Sequence, residues 1–182
     1  MEIIKLIALL LGTAILFISC SANTPAPTLS YQDKAFRAHI CWTANGISVT
    51  AFFTSLPPSS PSGTDKTATL EITAPSTLEG ISICKRNGLL QTKLGDLRID
   101  STYAERLFAI SSLFEIDATV TKSAVSEIDG RKFNHIEATS SSGQKYTLYL
   151  FPESGLPRRI CSELNGQDCV LDVLSFELID EN

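Results

Sequence analysis

Phe36-Arg37-Ala38-His39-Ile40-Cys41-Trp42-Thr43-Ala44-Asn45-Gly46-Ile47-Ser48-Val49-Thr50-Ala51-Phe52-Phe53-Thr54 is the stretch that decides the fold. Apolar and polar residues alternate on both sides of Asn45-Gly46, the pattern of strands with one buried face. Asn-Gly supplies the two positive-φ positions of a type I′ turn, which suits a two-residue hairpin. Folding the stretch about that turn sets Trp42 opposite Val49, Ile40 opposite Ala51 and Ala38 opposite Phe53. One face then gathers Phe36, Ala38, Ile40, Trp42, Val49, Ala51 and Phe53. The other gathers Arg37, His39, Thr43, Ser48, Thr50 and Thr54, with Phe52 as its misfit. The stretch predicts an antiparallel sheet buried on one side.

The same grammar continues toward the C-terminus. Asn87-Gly88, Gly95-Asp96, Asp129-Gly130, Ser141-Ser142-Gly143 and Asn165-Gly166 each separate runs of strand-forming residues. Across Asp129-Gly130, Glu127 faces Lys132 as a cross-strand ion pair. Spacing of this kind predicts about ten strands. One segment departs from it. Thr102-Tyr103-Ala104-Glu105 has the form of a capping box, and Tyr103, Leu107, Ile110 and Phe114 follow at helical spacing. An amphipathic helix over Thr102–Phe114 is therefore expected to cover the apolar face, at least in part.

Toward the N-terminus, Met1–Cys20 (MEIIKLIALLLGTAILFISC) is apolar except for Glu2, Lys5 and a few small residues. The run from Ile3 to Ile18 falls just short of the ~17–25 residues of a spanning helix and has the form of a secretory signal. Its end, Phe17-Ile18-Ser19-Cys20, resembles the lipobox of bacterial lipoproteins, with Phe17 where Leu is usual. That resemblance makes residues 1–19 a signal peptide and Cys20 the lipidated residue, held in the membrane by its diacylglycerol and often a palmitate. Residues 20–33 form a Pro-containing tether reaching ~30 Å from the bilayer, and residues 34–182 form the domain. The alternative is an ordinary signal peptide or an uncleaved anchor with Cys20 incidental.

Composition narrows the function. The chain has 182 residues, 15 Lys+Arg against 20 Asp+Glu, and a net charge of −5. It lacks the cationic footprint of a nucleic-acid binder. With 43% hydrophobic residues and nine Phe it can bury a core, so it is not a disordered segment. No catalytic motif occurs, and neither His39 nor His135 has a second ligand at metal spacing, so no metal, no cofactor and no enzymatic activity are expected. Arg158-Arg159 reads as a solvated edge, the other reading being a lipid-headgroup contact. Cys161 and Cys169 flank Asn165-Gly166. A two-residue turn there places them on opposite faces, whereas a three-residue loop pairs them and permits a disulfide. Buried free thiols are the alternative.

Two phrases carry a family likeness. Ile72-Thr73-Ala74-Pro75-Ser76-Thr77-Leu78-Glu79-Gly80 and Tyr146-Thr147-Leu148-Tyr149-Leu150-Phe151-Pro152-Glu153-Ser154-Gly155-Leu156-Pro157 resemble segments of the LolA/LolB-type lipoprotein-carrier superfamily. The likeness extends to its LppX- and LprG-like members and, more narrowly, to small LolA-like lipoproteins of Firmicutes. It implies a mainly β (α+β) fold, a curved antiparallel half-barrel of about ten strands with one covering helix. It also implies a cleft for a lipid or another hydrophobic ligand. Phe36, Trp42, Phe53, Leu107, Phe108, Ile110 and Phe114 are the residues that would line such a cleft, or else fill a core, since both uses need the same residue types. The expectation is a monomeric lipoprotein on the extracytoplasmic face of the cell membrane. A cell-envelope interaction module with a filled core is the alternative.

Overall fold

The structure is a computed structural model and describes residues 29, 31–44, 46–57, 66–86, 89–99, 109–114, 118–164 and 166–179. Cys20 and the segment 1–28 lie outside the described residues. Among those described, no helix is long and apolar enough to cross a membrane.

Among the described residues, period-two segments form eleven strands, one more than the turn signals predict: β1 (Phe36–Ala44), β2 (Ile47–Leu56), β3 (Thr67–Ala74), β4 (Ile81–Arg86), β5 (Leu89–Leu94), β6 (Leu97–Ile99), β7 (Ala118–Ile128), β8 (Arg131–Ser140), β9 (Lys145–Leu150), β10 (Pro157–Leu164) and β11 (Gln167–Leu178). All join one antiparallel sheet in the order β6-β5-β4-β3-β2-β1-β11-β10-β9-β8-β7. The chain therefore starts mid-sheet and meanders outward to β6. The next strand, β7, lies at the opposite edge, and from there the chain meanders inward until β11 lies beside β1. The sheet stays open, with β6 and β7 as edges.

The β1–β2 register follows the two-residue turn: Trp42 opposes Val49, Ile40 opposes Ala51 and Ala38 opposes Phe53. Gly46 has φ 74°, a conformation a glycine adopts without Cβ strain. Glu127 likewise opposes Lys132. One face is buried along rows that cross the sheet, such as Val49–Trp42–Leu171–Ile160–Leu148–Ile136. Ile40, Ile83, Ile160 and Leu171 are fully enclosed. On the opposite, polar face Phe52 is accommodated by its neighbours. The Arg37 guanidinium lies 4.3 Å above its ring and His39 stacks on it at 4.6 Å.

The expected helix over Thr102–Phe114 is not shown. Its first part, residues 101–108, lies outside the described residues. The described part, Ala109–Leu113, is a 3-10 turn followed by Phe114. Ile110, Ser111, Leu113 and Phe114 are all buried. Burial on this many sides of a short connection suits a tight turn pressed onto the sheet better than a helix with one solvated face.

The folded unit also begins before Lys34. Tyr31, expected in the tether, is fully buried, and the turn is closed by Gln32 N donating to Leu29 O and Lys34 N to Tyr31 O. At the other hairpin the two-residue register is taken: Cys161 opposes Val170, and Ser162 opposes Cys169. The two thiols stand on opposite faces and both are free, so the Cys161–Cys169 disulfide is not formed.

Candidate functional site

The middle of the apolar face is closed by two segments that take no place in the sheet. One is the turn at Leu29–Lys34, which delivers Tyr31. The other is Ala109–Phe114, which delivers Ile110, Leu113 and Phe114. Tyr31 and Phe114 meet Phe36, and Phe114 also meets Phe53; β1 and β2 present these two rings on that face because period two leaves them on the inward side. Phe114 stacks on Phe53 with ring centroids 4.9 Å apart and planes 7° from parallel. It also lies 5.5 Å from Phe36 and 6.5 Å from Tyr31. Phe176 of β11 completes the group, stacking on Phe36 at 4.8 Å and meeting Tyr31 at 5.4 Å. Gln32 Nε2 donates to the Phe114 carbonyl at 3.4 Å and so links the two segments.

The structure thus brings together Phe36, Phe53, Ile110 and Phe114 from the sequence-predicted set. Trp42 is half-buried and packs at the margin of the same core. Its indole N–H donates to the Cys169 sulfur at 2.7 Å. Leu107 and Phe108 lie outside the described residues. Sequence reasoning missed Tyr31, Leu113 and Phe176. The usable signal for Tyr31 was an isolated aromatic ring at the end of a Pro- and Ser-rich stretch.

Two polar atoms in or beside this cluster have no partner. Tyr31 Oη and Ser55 Oγ are buried and make no hydrogen bond, and Ser55 sits directly opposite Phe36 in the β1–β2 register. Burial pushes the Tyr31 phenol well above its ordinary range, since an anion there would be desolvated. Burial likewise raises the Cys169 thiol from 9.0 to about 11, although the Trp42 hydrogen bond works against this.

The remaining chemistry-bearing groups lie elsewhere. Arg158 and Arg159 converge on one carboxylate: Arg159 Nε and Nη2 donate to Asp172 at 2.7 and 3.1 Å, and Arg158 Nη1 at 3.2 Å. The fork of two hydrogen bonds raises the Arg159 pKa further. These arginines are therefore already committed within the sheet, and a headgroup contact would have to compete with Asp172. His39 stacks on Phe52 and His135 on Tyr149. Among the described residues no group of three His, Cys, Asp or Glu is placed to hold a metal. A cavity of about 420 Å³ lies between Ser142, Gly143, Gln144, Lys145, Glu163 and Gly166. Another of about 470 Å³ lies over Cys84, Arg86, Leu89, Gln91 and Lys93. Neither includes a member of the aromatic cluster.

No protein-family model matches the chain, and no curated protein is significantly similar to it in sequence. Solved structures do resemble it. An uncharacterised conserved protein from Thermus thermophilus matches over 86% of this chain and 85% of its own, with 12% identity and a TM-score of 0.52. MucB matches over 82% of this chain and 55% of its own, with 15% identity and a TM-score of 0.51, so the chain spans little more than half of that protein. Structural neighbours also include a LolA superfamily protein from Nitrosomonas europaea, at 16% identity over 84% of this chain and 89% of that one, with a TM-score of 0.42. At these identities the likeness is one of fold.

Proposed function

We propose that the chain is an extracytoplasmic lipoprotein, anchored through Cys20, that binds a hydrophobic ligand on the apolar face of its sheet and performs no chemistry on it. The observation that carries this reading is the way the face is closed. Phe114, Leu113 and Ile110 come from residues 109–114, which belong to no strand of the sheet, so lifting them breaks no strand pairing. Beneath Phe114 lie Phe36 and Phe53, a ready apolar surface for an acyl chain, which gains about 0.8 kcal/mol per buried methylene. In this reading the 109–114 segment is a lid and Phe114 occupies the place of the ligand.

A filled interaction module is the second reading, favoured by the completeness of the packing: Phe36, Phe53 and Phe114 are each 1% exposed. The likeness to MucB, which is also solved in complex with MucA, lends it some support.

Titration with a pyrene-labelled alkane distinguishes the two readings. Saturable uptake supports the carrier, and no uptake at any concentration favours the filled module. Anchoring has its own test in membrane fractionation. Cys20→Ala should release the protein or block its maturation, and a variant that stays membrane-bound with unchanged processing would contradict the lipidation.

A further inference from the structure

Opposite charges face each other across this sheet in several places: Lys122 and Glu137, Glu127 and Lys132, and Arg159 and Asp172 are direct register partners. At the β6 edge the arrangement is reversed. Lys93 of β5 opposes Arg98 of β6, and like charges set directly opposite destabilise a sheet. A second like-charge pair, Glu163 and Asp168, has a cation at hand, because Lys145 lines one cavity with Glu163. Among the described residues no ion pair engages Lys93, Arg98 or the nearby Arg86. The carboxylates between Lys66 and Ile99 are Glu71, Glu79 and Asp96. Glu71 is engaged by Arg37 at 3.5 Å, and Glu79 and Asp96 stand exposed in turns. Asp100, the next acid, lies outside the described residues. On a chain of net charge −5, this end of the sheet thus gathers positive charge without a carboxylate to meet it.

That charge borders a hollow on the outer face of the sheet. Ile83 belongs to the buried core, so period two turns Cys84 and Arg86 of β4 to the other face. Their register partners on β5, Gln91 and Leu89, stand with them, and Lys93 follows on the same side. These residues line the cavity of about 470 Å³, whose volume suits a small molecule. Arg86 and Lys93 therefore share one space, with the Gln91 amide as a further donor and Leu89, 72% exposed, as an apolar rim. A phosphate monoester carries a charge of about −1.5 to −2 at pH 7 and three acceptor oxygens, a match for two cations and an amide. A guanidinium can hold it through two parallel hydrogen bonds. A carboxylate brings a single charge and answers only one of the two cations.

We propose that this outer-face cavity binds a phosphate monoester, with Arg86 and Lys93 pairing with its oxygens and Gln91 donating a further hydrogen bond. The phosphate is that of a soluble ester or of a lipid headgroup, and the site is independent of any ligand on the apolar face. The described fold begins at Leu29, so the chain from residue 21 keeps all of it and carries no Cys20 anchor. That chain is titrated calorimetrically at neutral pH and low salt with glycerol 3-phosphate and with glycerate. In parallel it is floated with phosphatidylcholine vesicles with and without phosphatidic acid. Saturable binding of glycerol 3-phosphate, tighter than glycerate, assigns a soluble ester. Capture only by vesicles with phosphatidic acid, without binding of the soluble ester, assigns a headgroup. In either case Arg86→Gln and Lys93→Gln should each weaken binding by about tenfold, and Lys122→Gln, at the opposite edge of the sheet, should leave it unchanged. Lys93→Gln should melt no lower than wild type, because it relieves the opposition with Arg98, so its loss of binding is not a loss of fold. If neither phosphate source binds, if glycerate binds as tightly as the ester, if Arg86→Gln and Lys93→Gln both bind like wild type, or if Lys122→Gln weakens binding equally, the site is wrong.

Discussion

Replacing Phe114 with alanine separates a lid from a permanent core. Phe114 is 1% exposed, stacks on Phe53 at 4.9 Å and also touches Phe36. Truncating such a side chain costs about 3–5 kcal/mol in transfer and cavity terms. For a domain of this size, 1 kcal/mol moves Tm by about 2–4 °C, so the melting point should fall by roughly 6–20 °C. Both readings share that loss, and probe affinity is where they part. If ligand and Phe114 compete for one place, the apparent affinity of the wild type is reduced by the fraction of molecules with the lid open. A closure worth about 3 kcal/mol holds that fraction near 1 in 100, so removing the ring should tighten binding of an acyl probe by up to about 100-fold. The assay is a fluorescence titration at a temperature where both proteins are folded, checked by circular dichroism. A destabilised Phe114→Ala variant whose affinity equals that of the wild type would refute the reasoning.

Gly46→Val places a β-branched residue at φ 74°; a Cβ there meets nothing within 4 Å, so backbone strain alone should cost on the order of 1 kcal/mol or more, seen as a lower Tm. Unchanged stability would show that the turn is misread. Asp172→Ala strips Arg158 and Arg159 of their shared, half-buried acceptor and should destabilise by about 1–3 kcal/mol in chemical denaturation, and an unaffected midpoint would place those ion pairs among the inconsequential ones. Cys169 binds its proton more tightly folded than unfolded, so its contribution to stability is complete below pH 9 and is lost as pH rises toward about 11. Cys169→Ala should flatten the stability profile over that window, whatever its effect at neutral pH, and an undiminished slope would assign it to other groups.

Local patterns were legible wherever one face is buried and the turn is short. Asn45-Gly46 fixed which residues oppose each other on β1 and β2, because a slip by one residue would have turned Phe36, Ala38 and Ile40 to solvent. Asn165-Gly166 has the same chemistry, and its two-residue register is the ordinary outcome. The disulfide required a rarer loop, for which the only motive was the presence of Cys161 and Cys169. The covering helix is a different case: over Ala109–Leu113, the part of it that is described, a 3-10 turn stands in its place. Ile110 and Phe114 are spaced as on a helix, but Ile110 and Leu113 fit a three-residue turn equally well, and tertiary contact on the sheet decides between them. Tyr31 was out of reach of any periodicity argument, since a single ring in an irregular segment has no pattern around it. Its partners Phe36, Phe114 and Phe176 are distant in sequence, and only the meander that sets β11 beside β1 brings them together.

Whether lipid can occupy the place of Phe114 is tested most directly by native mass spectrometry. The chain from residue 21 is incubated with a total lipid extract, freed of excess lipid by gel filtration and sprayed from volatile buffer. The account predicts a noncovalent adduct with the mass of a single lipid, more abundant in Phe114→Ala than in wild type. A bare chain mass in both proteins would contradict it and leave the sheet as a filled module.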